Sequence, residues 1–238
     1  HSGRILTRTT KGVLFPLHVE QEVNGQVAGL EHQQRLLERV PEILNDPQVQ
    51  IQPVRRVDAS IAEGILHAAI ENQASMIVTG WRGKPTFRQS ILGTVLDEVI
   101  WNATVSVLVG RITVPVNAIR RVVLVMPPNT SGVGLVDRTL ETVTVIAQAT
   151  NVPLLVLAAK HHAAKVQEKM GALELEHPHE VVLLEGDVIR NVVSQINAQD
   201  LVVVTTMGLQ GRFRSSLGHI PERLAAATSG SIVVIHYP

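Results

Sequence analysis

Ser75-Met76-Ile77-Val78-Thr79-Gly80-Trp81-Arg82-Gly83, followed after nine further residues by Gly93-Thr94, decides how this chain is built. A short apolar run ends at a glycine, a second glycine follows, and a third stands just before Val95, Leu96, Val99 and Ile100, which keep a helical period. Glycine tolerates positive φ and lets a ligand approach main-chain N–H groups, and a helix start adds partial positive charge. Strand, glycine loop and helix together make a phosphate cradle. A bare turn needs one glycine, not three at fixed offsets. Arg82, Lys84 and Arg88 add cations to the loop. Taken singly, Thr94 also reads as a helix N-cap and the three cations as a solvated rim.

The pattern recurs. Gly208-Leu209-Gln210-Gly211 stands 128 residues downstream of Gly80-Trp81-Arg82-Gly83, whereas Gly93 to Gly218 and Ser106 to Ser231 are both offset by 125, so the second loop is three residues shorter. The elements around the loops alternate. Val13–Val19 reads as a strand despite Pro16; Glu31–Ile43 reads as a helix with Leu36, Leu37 and Val40 on one face; Val49–Val57 reads as a strand. Asp58 then caps a helix carrying Ile61, Ile65, Ala69 and Ile70, Ser75–Thr79 is a short buried strand, and Val105–Val109 closes the unit. After Pro115 the order restarts with strands at Arg121–Met126, Pro153–Leu157, Val181–Leu184, Leu201–Thr205 and Ser231–Ile235. Helices are expected at Leu135–Gln148 and after Gly186-Asp187, with Val188, Val192, Val193 and Ile196 inward. Strands separated by amphipathic helices predict an α/β fold, a doubly wound parallel sheet in two tandem repeats covering 1–112 and 118–238. Arg121 lies 32 residues before Pro153, but only 14 residues precede Phe15, so the first repeat is expected to lack its opening strand and helix. A start at His1 rather than Met reads as a piece of a longer protein.

Composition bounds the function. The 238 residues are 45% hydrophobic, enough for two cores. Basic and acidic residues balance at 21 each, which argues against a nucleic-acid partner. There is no cysteine, which excludes disulfides, thiolate catalysis and cysteine-ligated zinc, and favours a cytoplasmic setting. No apolar run approaches the roughly 18 residues of a membrane span.

Gly80, Gly83, Gly93 and Thr94 match in full the Gly-2x-Gly-9x-Gly-(Ser/Thr) signature of universal stress proteins, and the chain resembles a tandem pair of such domains from Val13 to His236. Leu17-His18-Val19 is similar to the family's second strand, and Asp58 and Asp187 stand where members cap the third helix. The resemblance implies a Rossmann-like fold of the adenine nucleotide alpha hydrolase type, strand order 3-2-1-4-5, and dimer-like pairing of the last strands about a pseudo-twofold axis. It also implies ATP or another adenine nucleotide as ligand, with phosphates on the loop from Gly83 through Thr94 to Val95 and the nucleoside beside Val19, Thr79 and Gly80. The second repeat departs: Met126-Pro127-Pro128-Asn129 replaces the aspartate expected after the first strand, only six residues separate Gly211 from Gly218, and His219 replaces the hydroxyl residue. That repeat reads as a structural copy.

Other constellations point nowhere sharper. His161-His162 and His177-Pro178-His179 lack a metal-site spacing and read as polar surface loops. Ser229-Gly230-Ser231 lacks the nucleophile elbow and precedes a strand. Trp81 and Trp101 read as packing residues at the loop and helix end, with base stacking as the other reading. No acid is placed to hold magnesium, and neither a metal site nor a catalytic residue is expected. Two functions stand: a regulatory nucleotide-binding module with no chemical step, and a structural interaction pseudo-dimer without ligand. The resemblance extends to the tandem cytoplasmic tails of bacterial cation/proton antiporters. It therefore implies a location at the cytoplasmic face of the membrane, a covalently attached transporter as partner, and self-association through the terminal strands.

Overall fold

The computed structural model describes residues 12–23, 26–27, 31–44, 46–81, 94–126, 128, 134–172, 178–207 and 219–238. Two broken strands open the chain. Strands β1 (Val13–Leu14) and β2 (Leu17–Val23) run parallel to β4 (Gln50–Ile51) and β5 (Val54–Asp58), and a short β3 (Gln26–Val27) folds back antiparallel on β2. Pro16 and Pro53 interrupt both strands because proline has no N–H for a ladder. Bonds from Gln52 N–H to Leu14 O (2.9 Å) and from Val54 N–H to Pro16 O (2.8 Å) carry the pairing across the break.

The helix expected over 31–43 is two helices, α1 (Glu31–Glu38) and α2 (Val40–Leu44), which divide at Arg39 just ahead of Pro41. Leu36 is 44% exposed, so it does not share an inward face with Leu37 and Val40. Helix α3 (Ile61–Glu71) is capped by Ser60, whose hydroxyl accepts from Glu63 N–H at 3.1 Å. The expected cap, Asp58, instead ends β5 and accepts from Ala59 N–H. Ser60 and Glu63 have the spacing of a capping box, which outcompetes an aspartate two residues further out.

The main sheet has seven strands. Strands β6 (Met76–Gly80) and β7 (Ser106–Arg111) flank helix α4 (Thr94–Asn102) in the chain. Strand β8 (Arg121–Met126), helix α5 (Leu135–Thr150), strand β9 (Leu154–Ala159), helix α6 (Lys160–Ala172) and strand β10 (His179–Leu184) follow. Helix α7 (Val188–Gln195), strand β11 (Asp200–Met207), helix α8 (His219–Ala227) and strand β12 (Ser231–Tyr237) complete it. The order is β10-β9-β8-β11-β12-β7-β6, parallel throughout except between β12 and β7. Five strands of the second half therefore lie in the order 3-2-1-4-5. In the first half, β6 and β7 take positions 4 and 5, while β2 and β5 sit in a separate three-stranded sheet with β3. Among the described residues, no strand lies between those two groups.

The terminal strands pair as expected, with Val109 opposite Val234 and Arg111 opposite Ile232. That pairing merges what would be two sheets into one, since each edge supplies the backbone partners the other lacks. Strands β8 and β9 are buried on both faces, as unbroken apolar runs require in a parallel sheet. One core lies under α5 and α6; the other joins Trp81, Val99, Ile100, Val107 and Val109 of the first half to Val123, Val202, Val234 and Leu224 of the second. Strand β6 is not the buried strand expected, because it is a sheet edge among the described residues, and Val78 is 40% exposed. Asp187 caps α7 as expected, accepting from Arg190 N–H at 3.0 Å. The dipeptide His161-His162 lies in α6 rather than in a surface loop, and His162 takes an inward position one turn from Val166.

Candidate functional site

Thr79 and Gly80 close β6 at its carboxyl end, where a parallel sheet presents ligands. Among the described residues, a Cβ added at Gly80 would meet nothing within 4 Å. Trp81 N–H extends the ladder by one bond, to Gly110 O at 2.8 Å, and its ring is 5% exposed. This bears out a packing role for Trp81. Trp101 is different: at 64% exposure it packs into no core. Thr94 and Val95 are the first two residues of α4, and Val95 is partly exposed. Gly83, Gly93, Arg82, Lys84 and Arg88 lie outside the described residues, as do Gly208, Gly211 and Gly218 of the second loop.

Val19 stands apart from the other candidates, on β2 in the smaller sheet, opposite Arg56 of β5. Its side chain faces α3: a Cβ at Gly64 would lie 2.3 Å from Val19 Cγ1. The structure thus brings Thr79 and Gly80 together, sets Thr94 and Val95 at a helix start, and places Val19 against α3.

Sequence reading missed two charged clusters, because each depends on strand register. Period-two alternation sends Arg55 and Arg56 to opposite faces of β5. On one face Arg55 holds the buried Glu20 carboxylate with two bonds, Nε to Oε1 at 3.1 Å and Nη2 to Oε2 at 2.8 Å. On the other, Asp58 accepts from Arg56 Nε (2.8 Å) and lies 2.7 Å from His67 Nδ1, while Arg56 also bonds Glu71. The hydrogen bonds from His67, then Arg56, then Ala59 N–H hold the Asp58 carboxyl well below the usual carboxylate range. A folded-state pKa below the unfolded value of about 3.9 stabilises the fold fully above about pH 5, and the contribution declines as pH falls through that window. Asp58→Asn is expected to flatten the acid limb of stability between pH 5 and 3, read as urea midpoints. An acid limb as steep as that of the parent protein would refute this role.

Among the described residues, no group of three acids or histidines is arranged to hold a metal ion, and no helix is long and apolar enough to cross a membrane. Burial lowers the pKa of His236 on β12. Ser231 is buried and its Oγ accepts from Thr113 N–H at 3.0 Å, a structural bond.

Residues 6–111 match the Universal stress protein family. A 116-residue stretch, 46% of this chain, is 29% identical to the Na(+)/H(+) antiporter NhaS5 of Synechocystis sp. and covers 17% of the antiporter, so the chain matches only a small part of that relative. The whole fold resembles a universal stress protein from Archaeoglobus fulgidus, with TM-score 0.64 over 98% of this chain and 90% of that one at 16% identity. It also resembles the cytoplasmic domain of a prokaryotic cation chloride cotransporter, with TM-score 0.66 over 94% and 84% at 12% identity. At those identities the likeness is one of fold. The matched segment contains the strand, the glycine spacing and the helix start from which the candidate site is drawn.

Proposed function

We propose that this chain is a regulatory module that binds ATP or another adenine nucleotide at its first glycine loop and belongs to a membrane cation/proton antiporter, on whose cytoplasmic side it sits. The observation that carries the reading is the end of β6: Gly80, whose added Cβ would meet no described residue, at the carboxyl end of a strand paired in parallel with β7, followed in the chain by a helix starting at Thr94. Donors at such a place suit phosphate. The likeness to NhaS5 supports the antiporter. Regulation needs no chemical step: a nucleotide that favours one packing of the module over another biases whatever is attached to it.

A purely structural pseudo-dimer is the second reading, favoured by the β7–β12 pairing and the core that both halves share. Calorimetric titration with ATP separates the two. Gly83→Val and Gly93→Val are each expected to weaken ATP binding by at least about 100-fold, because a β-branched side chain fills the phosphate approach and disfavours the backbone angles a glycine permits. Gly211→Val is expected to leave it unchanged. No heat from the parent protein in its full length would favour the structural module, and equal losses at Gly83 and Gly211 would show that the working loop is misassigned.

A further inference from the structure

The geometry points to Arg111 as the residue that ties the base of the first glycine loop to the second half of the molecule, so that the two move as a unit. Arg111 is the last residue of β7, on the seam strand. Its guanidinium lies 5.2 Å from the centre of the Trp81 ring, and Trp81 directly follows Gly80 in the chain. The same guanidinium donates from Nη1 to Ala225 O at 3.0 Å, and from Nη2 to Thr228 O and to Gly230 O at 3.3 Å. Ala225 lies in the last turn of α8, where carbonyls lack helical partners and carry partial negative charge. Arginine suits this double duty: a planar fork engages several carbonyls while its face lies against an indole. Burial lowers the pKa of Arg111, because the charged guanidinium gives up hydration there, and its bonds to these carbonyls offset part of that cost.

The seam strand therefore does more than close a sheet. Trp81 is held from below by its bond to Gly110 and from the side by Arg111, so a shift of the loop base moves Arg111 and with it the end of α8. Where the loop holds a nucleotide, as the proposed function has it, Arg111 acts as a positioning residue, and ligand binding in the first half is felt in the second.

The test uses the 238-residue chain with Trp101→Phe, which removes an exposed ring and leaves Trp81 as the single tryptophan of these residues. Arg111→Lys keeps the charge but cannot span three carbonyls and the ring. It is expected to red-shift Trp81 emission, speed amide exchange over residues 219–231, and weaken ATP binding about 10-fold, a size usual for coupled sites. ATP is expected to slow exchange over 219–231 in the parent and not in Arg111→Lys. ATP affinity within twofold of the parent, or equal slowing in both proteins, would overturn the coupling. If ATP gives no heat with the parent, the nucleotide reading fails by itself and the unliganded arm decides. There, Trp81→Leu is expected to speed exchange over 219–231 with Arg111 present and to add nothing to Arg111→Lys. Additive effects would refute the link.

Discussion

Val234→Asp is expected to destabilise both halves together, by at least about 4 kcal/mol. Val234 is 1% exposed, lies between Val204 of β11 and Val109 of β7, and belongs to an apolar core cluster. Aspartate is close to valine in size, so the change adds little strain and tests mainly the cost of an unpaired carboxylate. Domains are stable by only about 5–15 kcal/mol, so a large share of the margin goes. The core around Val234 also contains Trp81, Val99, Ile100 and Val107, which ties the first half's fate to the second's. Urea unfolding read at once by tryptophan fluorescence, which reports residues 81 and 101, and by circular dichroism should show one transition moved to lower urea. Ile112→Asp, just beyond β7 and 43% exposed, is the control and should change stability by less than about 0.5 kcal/mol. A Val234→Asp protein whose tryptophan transition stays in place would show that the halves fold independently and that the shared core is not cooperative.

The parts of this fold that a sequence reveals are those whose signal is local. Val122–Met126 and Leu154–Ala159 are unbroken apolar runs of the kind a strand buried on both faces needs, so that these segments are strands was legible. The glycine spacing fixed where strands end and helices begin. Helix α6 was not legible, because its inward positions are His162, Val166 and Met170 among lysines and alanines, and a histidine in the core breaks the apolar count. Edge status was hidden for the same kind of reason: Met76-Ile77-Val78 reads as buried, and only the sheet order leaves Val78 half in solvent.

The candidate site divides along the same line. Thr79 and Gly80 follow from strand and glycine, and the structure sets them at the carboxyl end of β6. What pairs with what did not follow. Glu20 and Arg55 are 35 residues apart and meet only because His18 stands opposite Arg55 in the β2–β5 register. Arg111 bonds carbonyls more than 100 residues downstream, and nothing in the sequence around it announces that.

Gly64 supplies the second large effect, and here the usual helix rule should reverse. Glycine inside a helix costs about 1 kcal/mol relative to alanine, so Gly64→Ala ought to stabilise α3. A Cβ there lies 2.3 Å from Val19 Cγ1, 3.2 Å from Val19 Cγ2 and 3.3 Å from Asp58 Cβ, closer than packed carbons approach. Valine cannot swing aside cheaply, because branching at Cβ restricts its χ1, and β2 is held by its ladder to β5. The helix and strand must part, and overpacking of this kind costs about 1–3 kcal/mol, enough to outweigh the gain in propensity. Gly64→Ala is therefore expected to lower stability by about 2 kcal/mol, and Val19→Ala in the same chain to restore most of it by returning the volume. The coupling in the double-mutant cycle should exceed about 1 kcal/mol, as contacting residues show. Additive effects would mean that α3 and β2 are less tightly packed than this. The same double variant bears on the ligand: if Val19 flanks a nucleoside through its backbone, ATP affinity returns with stability, and if through its side chain, stability returns while affinity does not.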